Sequence, residues 1–350
     1  MAFVTLRDVA RKAGVSTAAV SQILHGKGRF SAETRELVHK TVQEMGYVPD
    51  QRARSMRSSA NKTVGLLVPD LRNQYFADLV SSMEDELYRN GVSTLIGTSS
   101  ENVERQDAFI ENLLGQRIDG AIVVPQGVES PGVRSLIRRD LPLVFVDRRV
   151  QGVESVPFVV SNPYTGIREA MEDLVAHGHR RIGYVAHPSL GSYSVNERET
   201  AFRAVAGDLL GADATVPAAA GGTGAAGVVV ACDADYESRR EALARLLDAR
   251  VTAIMCGYSP DAITIIGLMH DRGVELGADV SLVSFDDIAA FRLMTPNVAV
   301  ISQQPELMGR RGVALLLESI RTGSCGEGRT TSVPTVYMPR KSVSVAPVAA

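Results

Sequence analysis

Two hydrophobic periods divide the chain. Over the first sixty residues the apolar positions recur at helical spacing, with Leu6, Val9, Ala10 and Ala13 on one face. Thr5-Leu6-Arg7-Asp8 fits a capping box, in which Thr5 caps and Asp8 reaches back to the freed amides. Gly14 ends this helix, and Val15 plugs inward. Ser16 caps a second helix whose Val20 and Ile23 or Leu24 face the first. A third helix follows Ser31, with Leu37, Val38, Val42 and Met45 as its stripe and Gly46 as its stop. Two short helices joined by a glycine-containing turn and buttressed by a third predict an all-α helix-turn-helix domain over residues 1–48.

From residue 63 the pattern changes to short apolar, β-rich runs alternating with amphipathic helices. Strands are predicted at 63–70, 93–100, 120–126, 143–148, 158–162, 181–186, 227–233, 252–257 and 279–286. Helices are predicted at 75–90, 103–116, 164–177, 197–210, 237–248, 261–273 and 305–321. This rhythm implies parallel sheets covered on both faces, in an α/β body. The units are too many for one small doubly wound sheet, so two lobes are expected: 63–161 with 292–323, and 162–291 with 324–342. Residues 49–62 form a polar, basic linker, too short to fold alone. Pro49 stops the third helix, and Asp50 can cap a short segment carrying Arg52, Arg54 and Arg57.

Charge sharpens this division. The net charge of −3 hides eleven Lys/Arg against five acids in residues 1–62, a head of +6 on a body of −9. A basic head points to a polyanionic partner. No run reaches the roughly 20 apolar residues of a membrane span, and the N-terminus lacks a signal-peptide core, so a cytoplasmic location is expected. Cys232, Cys256 and Cys325 are odd in number and widely spaced, which predicts reduced thiols with no disulfide, metal or cofactor role. Gly222-Thr-Gly224-Ala-Ala-Gly227 satisfies G-x-G-x-x-G, but a strand follows it, so it reads as a flexible loop. His177 and His179 read as helix-end structural groups. No assembled catalytic set appears, and no enzymatic activity is expected.

In a helix-turn-helix the second helix enters the DNA major groove with its N-terminal residues at base edges. Here Thr17, Ser21 and Gln22 carry the polar tips, and Ala18 and Ala19 permit close approach. Residues 4–50, VTLRDVARKAGVSTAAVSQILHGKGRFSAETRELVHKTVQEMGYVPD, resemble the DNA-binding domain of LacI/GalR-family transcriptional regulators in motif order and spacing. The resemblance implies DNA contacts from Thr5, Leu6, Ser16, Thr17, Ala18, Ser21, Gln22, His25 and Arg29. It also implies hinge helices in the minor groove, with contacts from Ala53, Arg54 and Arg57 and with Met56 where the family usually wedges a Leu. The family usually has Thr or Ser at Ala19, Arg at Gln22 and Asn at His25. Gln pairs best with adenine N6/N7 where Arg prefers guanine, so the operator half-site is expected to differ at the base that Gln22 meets.

In parallel α/β sheets ligands sit beyond the C-terminal strand ends, and polar and aromatic residues recur there, Asp147 and Asp287 among them. The body resembles the family's periplasmic-binding-protein-like effector domain through VGLLVPDLRNQYFADLV, LPLVFVDR, AHGHRRIGYVA, VSLVSFDDIAAFRLMTP and QPELMGRRGVALLL. That resemblance makes Tyr75, Phe76, Arg148, Arg198 and Asp286 the leading effector contacts, with Asp70, Asn73, Ser161, Tyr236 and Tyr258 completing the set. Tyr258-Ser259 replaces the usual Asn-Asp pair, Ser161 an Asp and Ser284 a Gly, while Tyr236 can substitute for an aromatic usual near Ala234. The family implies a sugar or related metabolite as effector. The departures favour something smaller or different, or a degenerate pocket.

The expected whole is a repressor whose affinity for a pseudo-palindromic double-stranded operator changes with effector through linkage between lobe states. Two half-sites imply a homodimer, and the C-terminal KSVSVAPVAA lacks the leucine heptads of a tetramerising coil. No membrane partner is expected. A solute-binding transport receptor and a nucleotide-using enzyme are the rival readings. The basic head speaks against the first, and the failed glycine motif against the second.

Overall fold

The computed structural model describes residues 4–48, 63–187, 192–211, 215–217, 224–323 and 328–347. The chain divides into two compact units, Met1–Asn61 and Lys62–Ala350. The expectations for Ala53, Arg54, Met56 and Arg57 lie outside the described residues.

The first unit holds α1 (Leu6–Ala13), α2 (Thr17–Leu24) and α3 (Ala32–Met45). The Thr5 hydroxyl accepts from the Asp8 amide and the Asp8 carboxylate accepts from the Thr5 amide, so the box closes in both directions. Ser16 and Ser31 cap α2 and α3 by accepting from Ala19 and Thr34 amides at 3.1 and 3.2 Å. Gly14 turns the chain at φ 66°, a left-handed conformation that penalises any Cβ. Val9, Ala10, Ala13, Val20, Ile23 and Val38 form the core, with Leu6, Leu24, Val42 and Met45 packed at its rim. Leu37, expected in the α3 stripe, is 48% exposed. The buried face of α3 runs through Val38 and Thr41, whose hydroxyl returns to the Leu37 carbonyl at 2.7 Å.

The second unit contains two sheets, parallel throughout except for one antiparallel edge strand in the second. The first joins β1 (Thr63–Val68), β2 (Ser93–Thr98), β3 (Gly120–Val123), β4 (Leu143–Val146), β5 (Phe158–Asn162) and β12 (Thr330–Pro334) in the order β12-β5-β4-β3-β1-β2. Its faces are covered by α4 (Gln74–Arg89), α5 (Val103–Gly115), α6 (Pro131–Arg138) and α12 (Pro305–Thr322). The second joins β6 (Arg181–Ala186), β7 (Thr215–Pro217), β8 (Ala226–Ala231), β9 (Ala253–Cys256), β10 (Ser281–Phe285), β11 (Ala299–Ser302) and β13 (Val336–Met338) in the order β13-β11-β10-β9-β6-β8-β7. Around it lie α7 (Pro163–Ala176), α8 (Tyr193–Leu210), α9 (Tyr236–Asp248), α10 (Ser259–Asp271) and α11 (Ala289–Leu293). Central strands such as LVFV and AIMC are buried at every position, as two covered faces require.

Lobe boundaries differ from the expectation in two places. β11 pairs with β10, so residues 299–302 belong to the second sheet although 292–323 was assigned to the first lobe. β12 pairs with β5, so residues 330–334 belong to the first sheet although 324–342 was assigned to the second lobe. The return crossings therefore fall after Ser302 and after Pro334. The strands β7, β11, β12 and β13, the last antiparallel to β11, and the short helices α6 and α11 add elements beyond the expected ones.

The three crossings are bonded to one another. Thr335 donates to the Asn162 carbonyl from its amide at 3.1 Å and from its hydroxyl at 2.8 Å, and the Gly166 amide donates to that hydroxyl. Gln304, left-handed at φ 56°, donates from Nε2 to the Pro334 carbonyl at 2.6 Å. On the far side α12 lies so close to α4 that a Cβ at Gly309 would stand 2.8 Å from Ser82 Oγ and 3.2 Å from the Leu79 carbonyl.

Candidate functional site

The helix-turn-helix unit separates packing from presentation on α2. Val20 and Ile23 are buried, while Thr17, Ala18, Gln22 and His25 are exposed and Ser21 is half-buried. Thr5 and Arg29 are exposed as well, but Leu6 is drawn partly into the core. The Ser16 hydroxyl is already engaged in capping, which leaves its other lone pair and its proton for a ligand. The turn beyond α2 is fixed by the Lys27 amide on the Gln22 carbonyl at 2.8 Å and by Arg35 Nη2 on the Gly28 carbonyl at 2.8 Å.

In the second unit the C-terminal strand edges of both sheets bring together a buried polar cluster. Tyr75, in the first turn of α4, donates its hydroxyl to Asp147 Oδ1 at 3.0 Å, and Ser194 of α8 reaches Asp147 Oδ2 at 3.4 Å. Arg148, 2% exposed, forks onto Glu101 at 2.6 and 2.9 Å and lies 5.6 Å from the centre of the Phe76 ring. Ser161 donates to Gln303 Oε1 at 2.6 Å, and Gln303 Nε2 donates to Asp286 Oδ1 at 2.7 Å, a relay from the end of β5 to the end of β10. Arg198 is buried too, donating to the Gly257 carbonyl at 2.6 Å and lying 4.5 Å over Phe285. Among the described residues the Nε atoms of Arg148 and Arg198 are buried without a hydrogen-bond partner, Arg148 Nε standing 3.7 Å from Asp147 Oδ2.

Burial sets the electrostatics. Desolvation pushes the Asp286 carboxyl above the usual carboxylate range, although Arg198 and the Gln303 amide pull the other way. It also pushes the Tyr75 hydroxyl well up, with Asp147 adding to the shift, so Tyr75 is a donor at any physiological pH. The cluster thus offers buried carboxylates as acceptors and two guanidiniums as donors, a set suited to hydroxyl-bearing molecules. A cavity of about 120 Å³ adjoins it, lined by Tyr75, Asp286 and Gln303 together with Asp78, Asp287, Arg292 and Glu306. Most of the cluster is closed on itself.

Tyr75, Phe76, Arg148, Ser161, Arg198 and Asp286 therefore converge at the strand edges. Asn73 and Tyr258 meet at the edge of this cluster, and Asp70 and Tyr236 stand apart from it. Asp70 turns to Arg72, with bonds of 3.0 and 3.1 Å to its Nε, and Asn73 caps α4 by accepting from the Tyr75 amide at 3.1 Å. Tyr258 is half-buried, its ring 5.3 Å from that of His187 and its side chain hydrogen-bonded to Asn73 close to Glu101 and Arg148. Tyr236 is 54% exposed at the start of α9, with no bond to the others among the described residues. Sequence reasoning missed Glu101, Ser194 and Gln303, ordinary polar residues whose importance comes only from what they touch. His177 takes the expected helix-end role, its Nδ1 2.9 Å from the Asp173 carbonyl oxygen. His179 instead is wholly buried between Thr252 Oγ1 at 2.8 Å and the Ser344 carbonyl at 3.0 Å. Among the described residues no helix is long and apolar enough to cross a membrane.

Comparison with known proteins agrees with this fold. Residues 5–50 match the family of bacterial regulatory proteins, lacI family, and residues 171–343 match the periplasmic binding protein-like domain. The HTH-type transcriptional repressor PurR of Proteus mirabilis (strain HI4320) is 30% identical over 352 residues, covering 98% of each chain. A solved complex of the transcriptional regulator CelR with cellobiose is 27% identical, with a TM-score of 0.69, over 97% of this chain and 99% of that one. The lac repressor dimer bound to operator and an anti-inducer has a TM-score of 0.80 over 98% of this chain and 100% of that one, at 23% identity, a likeness of fold. The chain belongs to the LacI family of bacterial regulatory proteins.

Proposed function

We propose that the chain is a transcriptional repressor that binds a pseudo-palindromic DNA operator as a homodimer and whose affinity is set by a small-molecule effector in the cleft between its lobes. The observation that carries this reading is the division of α2. Val20 and Ile23 hold the helix, and Thr17, Ala18, Ser21 and Gln22 are left for base edges on a head of net charge +6. Thr5, Ser16, His25 and Arg29 would add contacts around that helix, and Leu6 would position it. Residues 49–62 would form the hinge, with Met56 wedging a base step between backbone contacts from Arg54 and Arg57 and a close approach at Ala53.

The cleft cluster supports an effector rich in hydroxyl or N–H groups. Asp286 and Asp147 would accept from it, and the Nε of Arg198 would donate, while Arg148 Nε faces Asp147 Oδ2 at 3.7 Å. CelR, at 27% identity, is described with bound cellobiose, and a sugar or related metabolite is the matching class for this chain. Because both lobes contribute to the cluster, a ligand that bridges Asp147 and Asp286 binds one lobe arrangement better than another. That difference is all the energy available to change operator affinity. A regulatory rather than enzymatic role, and a location with the chromosome in the cytoplasm, complete the proposal.

The experiment is selection of bound duplexes from a random pool by the full chain, followed by a metabolite screen against the selected site. One inverted-repeat sequence should be enriched, and one metabolite class should shift its affinity. Asp286→Asn should blunt that shift and leave operator affinity within about twofold. An unchanged metabolite response in this variant would remove Asp286 from the site.

A further inference from the structure

His187, Cys232 and Asp261 lie outside the cluster just described, yet three separate elements bring them together. His187 follows β6, Cys232 follows β8 and Asp261 stands in the first turn of α10, and all three are buried, at 1%, 3% and 0% exposure. His187 Nδ1 is 2.8 Å from Asp261 Oδ2, Cys232 Sγ is 3.5 Å from the same oxygen, and the sulfur and the ring nitrogen are 4.0 Å apart. We propose that these three residues form a binding site for a zinc-class divalent metal ion, held through the Cys232 thiolate, the His187 imidazole and the Asp261 carboxylate.

Geometry carries the proposal. The three distances define a triangle whose circumscribed radius is about 2.0 Å, so one point lies at a bonding distance from all three donor atoms. Zinc takes nitrogen and oxygen at about 2.0–2.2 Å and thiolate sulfur at about 2.3 Å, which a metal slightly out of the triangle's plane satisfies. Tetrahedral angles require the nitrogen–oxygen edge to open and the sulfur–nitrogen edge to close by about half an ångström. The first change is what losing the proton between those two atoms does.

The donor chemistry selects the ion. A thiolate, an imidazole and one carboxylate suit zinc, cobalt or nickel and disfavour magnesium and calcium, which take oxygen donors. Arg239 Nε donates to the other carboxylate oxygen, Asp261 Oδ1, at 2.8 Å, so Oδ2 is aimed at the shared point. Thiolate and carboxylate balance the dication. On uptake the thiol proton leaves, and the imidazole keeps one proton, moved from Nδ1 to Nε2. Among the described residues His187 Nε2 is buried without a hydrogen-bond partner. The alternative is a purely structural network, with His187, Cys232 and Arg239 all donating to Asp261. The trio is spread over positions 187, 232 and 261 and forms no short motif.

The test uses the full chain, stripped of metal and titrated with Co(II), which reports ligation by its absorption. The expected result is one Co(II) per chain, a thiolate-to-cobalt charge-transfer band, and displacement by Zn(II) with the same stoichiometry by elemental analysis. Cys232→Ser should abolish the band, while Cys325→Ser keeps it. His187→Gln should weaken uptake by at least tenfold, and Arg239→Gln, which removes the orienting bond to Asp261 together with the Nη1 bond to the Ala234 carbonyl, by about 10–100-fold. Folded wild-type chain that takes up no stoichiometric Co(II), or a band that survives Cys232→Ser, overturns the proposal. The wild-type measurement decides even if a variant does not fold.

Discussion

Ile23 and Gln22 are neighbours on α2 that face opposite ways, so substituting each separates packing from recognition. Ile23 is 2% exposed in a core of six buried residues. Truncating such a residue to Ala costs about 2–5 kcal/mol, because lost transfer energy and a residual cavity add. The head has about 45 described residues. At ~0.05–0.15 kcal/mol per residue its whole stability is about 2–7 kcal/mol. The two ranges overlap, so Ile23→Ala should leave a large share of heads unfolded while the second unit, with cores of its own, stays intact. Ile23→Val, at about 0.5–1.5 kcal/mol, should leave the head folded. Gln22→Ala, on an exposed site, should change stability by less than about 0.5 kcal/mol yet relax base preference at one position of each half-site. Hydrogen exchange resolved over α1–α3 and operator binding by fluorescence anisotropy read both effects. Retained protection and affinity in Ile23→Ala, or equal loss of stability in Gln22→Ala, would refute the assignment of the two faces.

Three further outcomes follow from the second unit. Glu101→Gln leaves the Arg148 guanidinium buried without its forked partner and should lower stability by about 3 kcal/mol, read as the urea midpoint of the effector unit. Gly309→Val places side-chain atoms against Ser82 and the Leu79 carbonyl and should cost about 1–3 kcal/mol by prising α12 from α4, seen as a lower melting temperature. Burial raises the Asp286 carboxyl in the folded state, so the folded chain binds the proton more tightly than the unfolded one. Its contribution is therefore most favourable below the ordinary carboxylate range and is lost as pH rises through the folded value. Asp286→Asn should flatten that part of the stability–pH curve, and denaturant titrations from acid to neutral pH would show no difference from wild type if the assignment is wrong.

The features legible in the sequence are those set by local chemistry. Thr5 with Asp8, Ser16 and Ser31 announce their helices because a cap acts on amides two or three residues away. Runs such as LVFV announce buried parallel strands because both faces need apolar residues. Lobe membership near the C-terminus was not legible. β12 is a five-residue edge strand, TTSVP, mostly outside the core, and only its pairing with β5 decides which sheet receives it. Leu37 looked like a core position because hydrophobicity alone does not fix the phase of a helix when Thr41 can face inward by bonding its own backbone. At the cleft, Arg148 and Asp286 were visible at strand ends, but Glu101, Ser194 and Gln303 acquire meaning only through contacts made far along the chain. The same holds for His187, Cys232 and Asp261.

On the proposed function the exposed face of α2 reads DNA sequence, and titrating the purified full chain against its best selected duplex and a scrambled duplex, at several salt concentrations, decides the point. Specific operators are bound typically 10³–10⁷-fold more tightly than other DNA, with affinity falling steeply as salt rises. A preference in that range, reduced at one half-site base by Gln22→Ala, is the predicted result. Equal binding to both duplexes at physiological salt would contradict it.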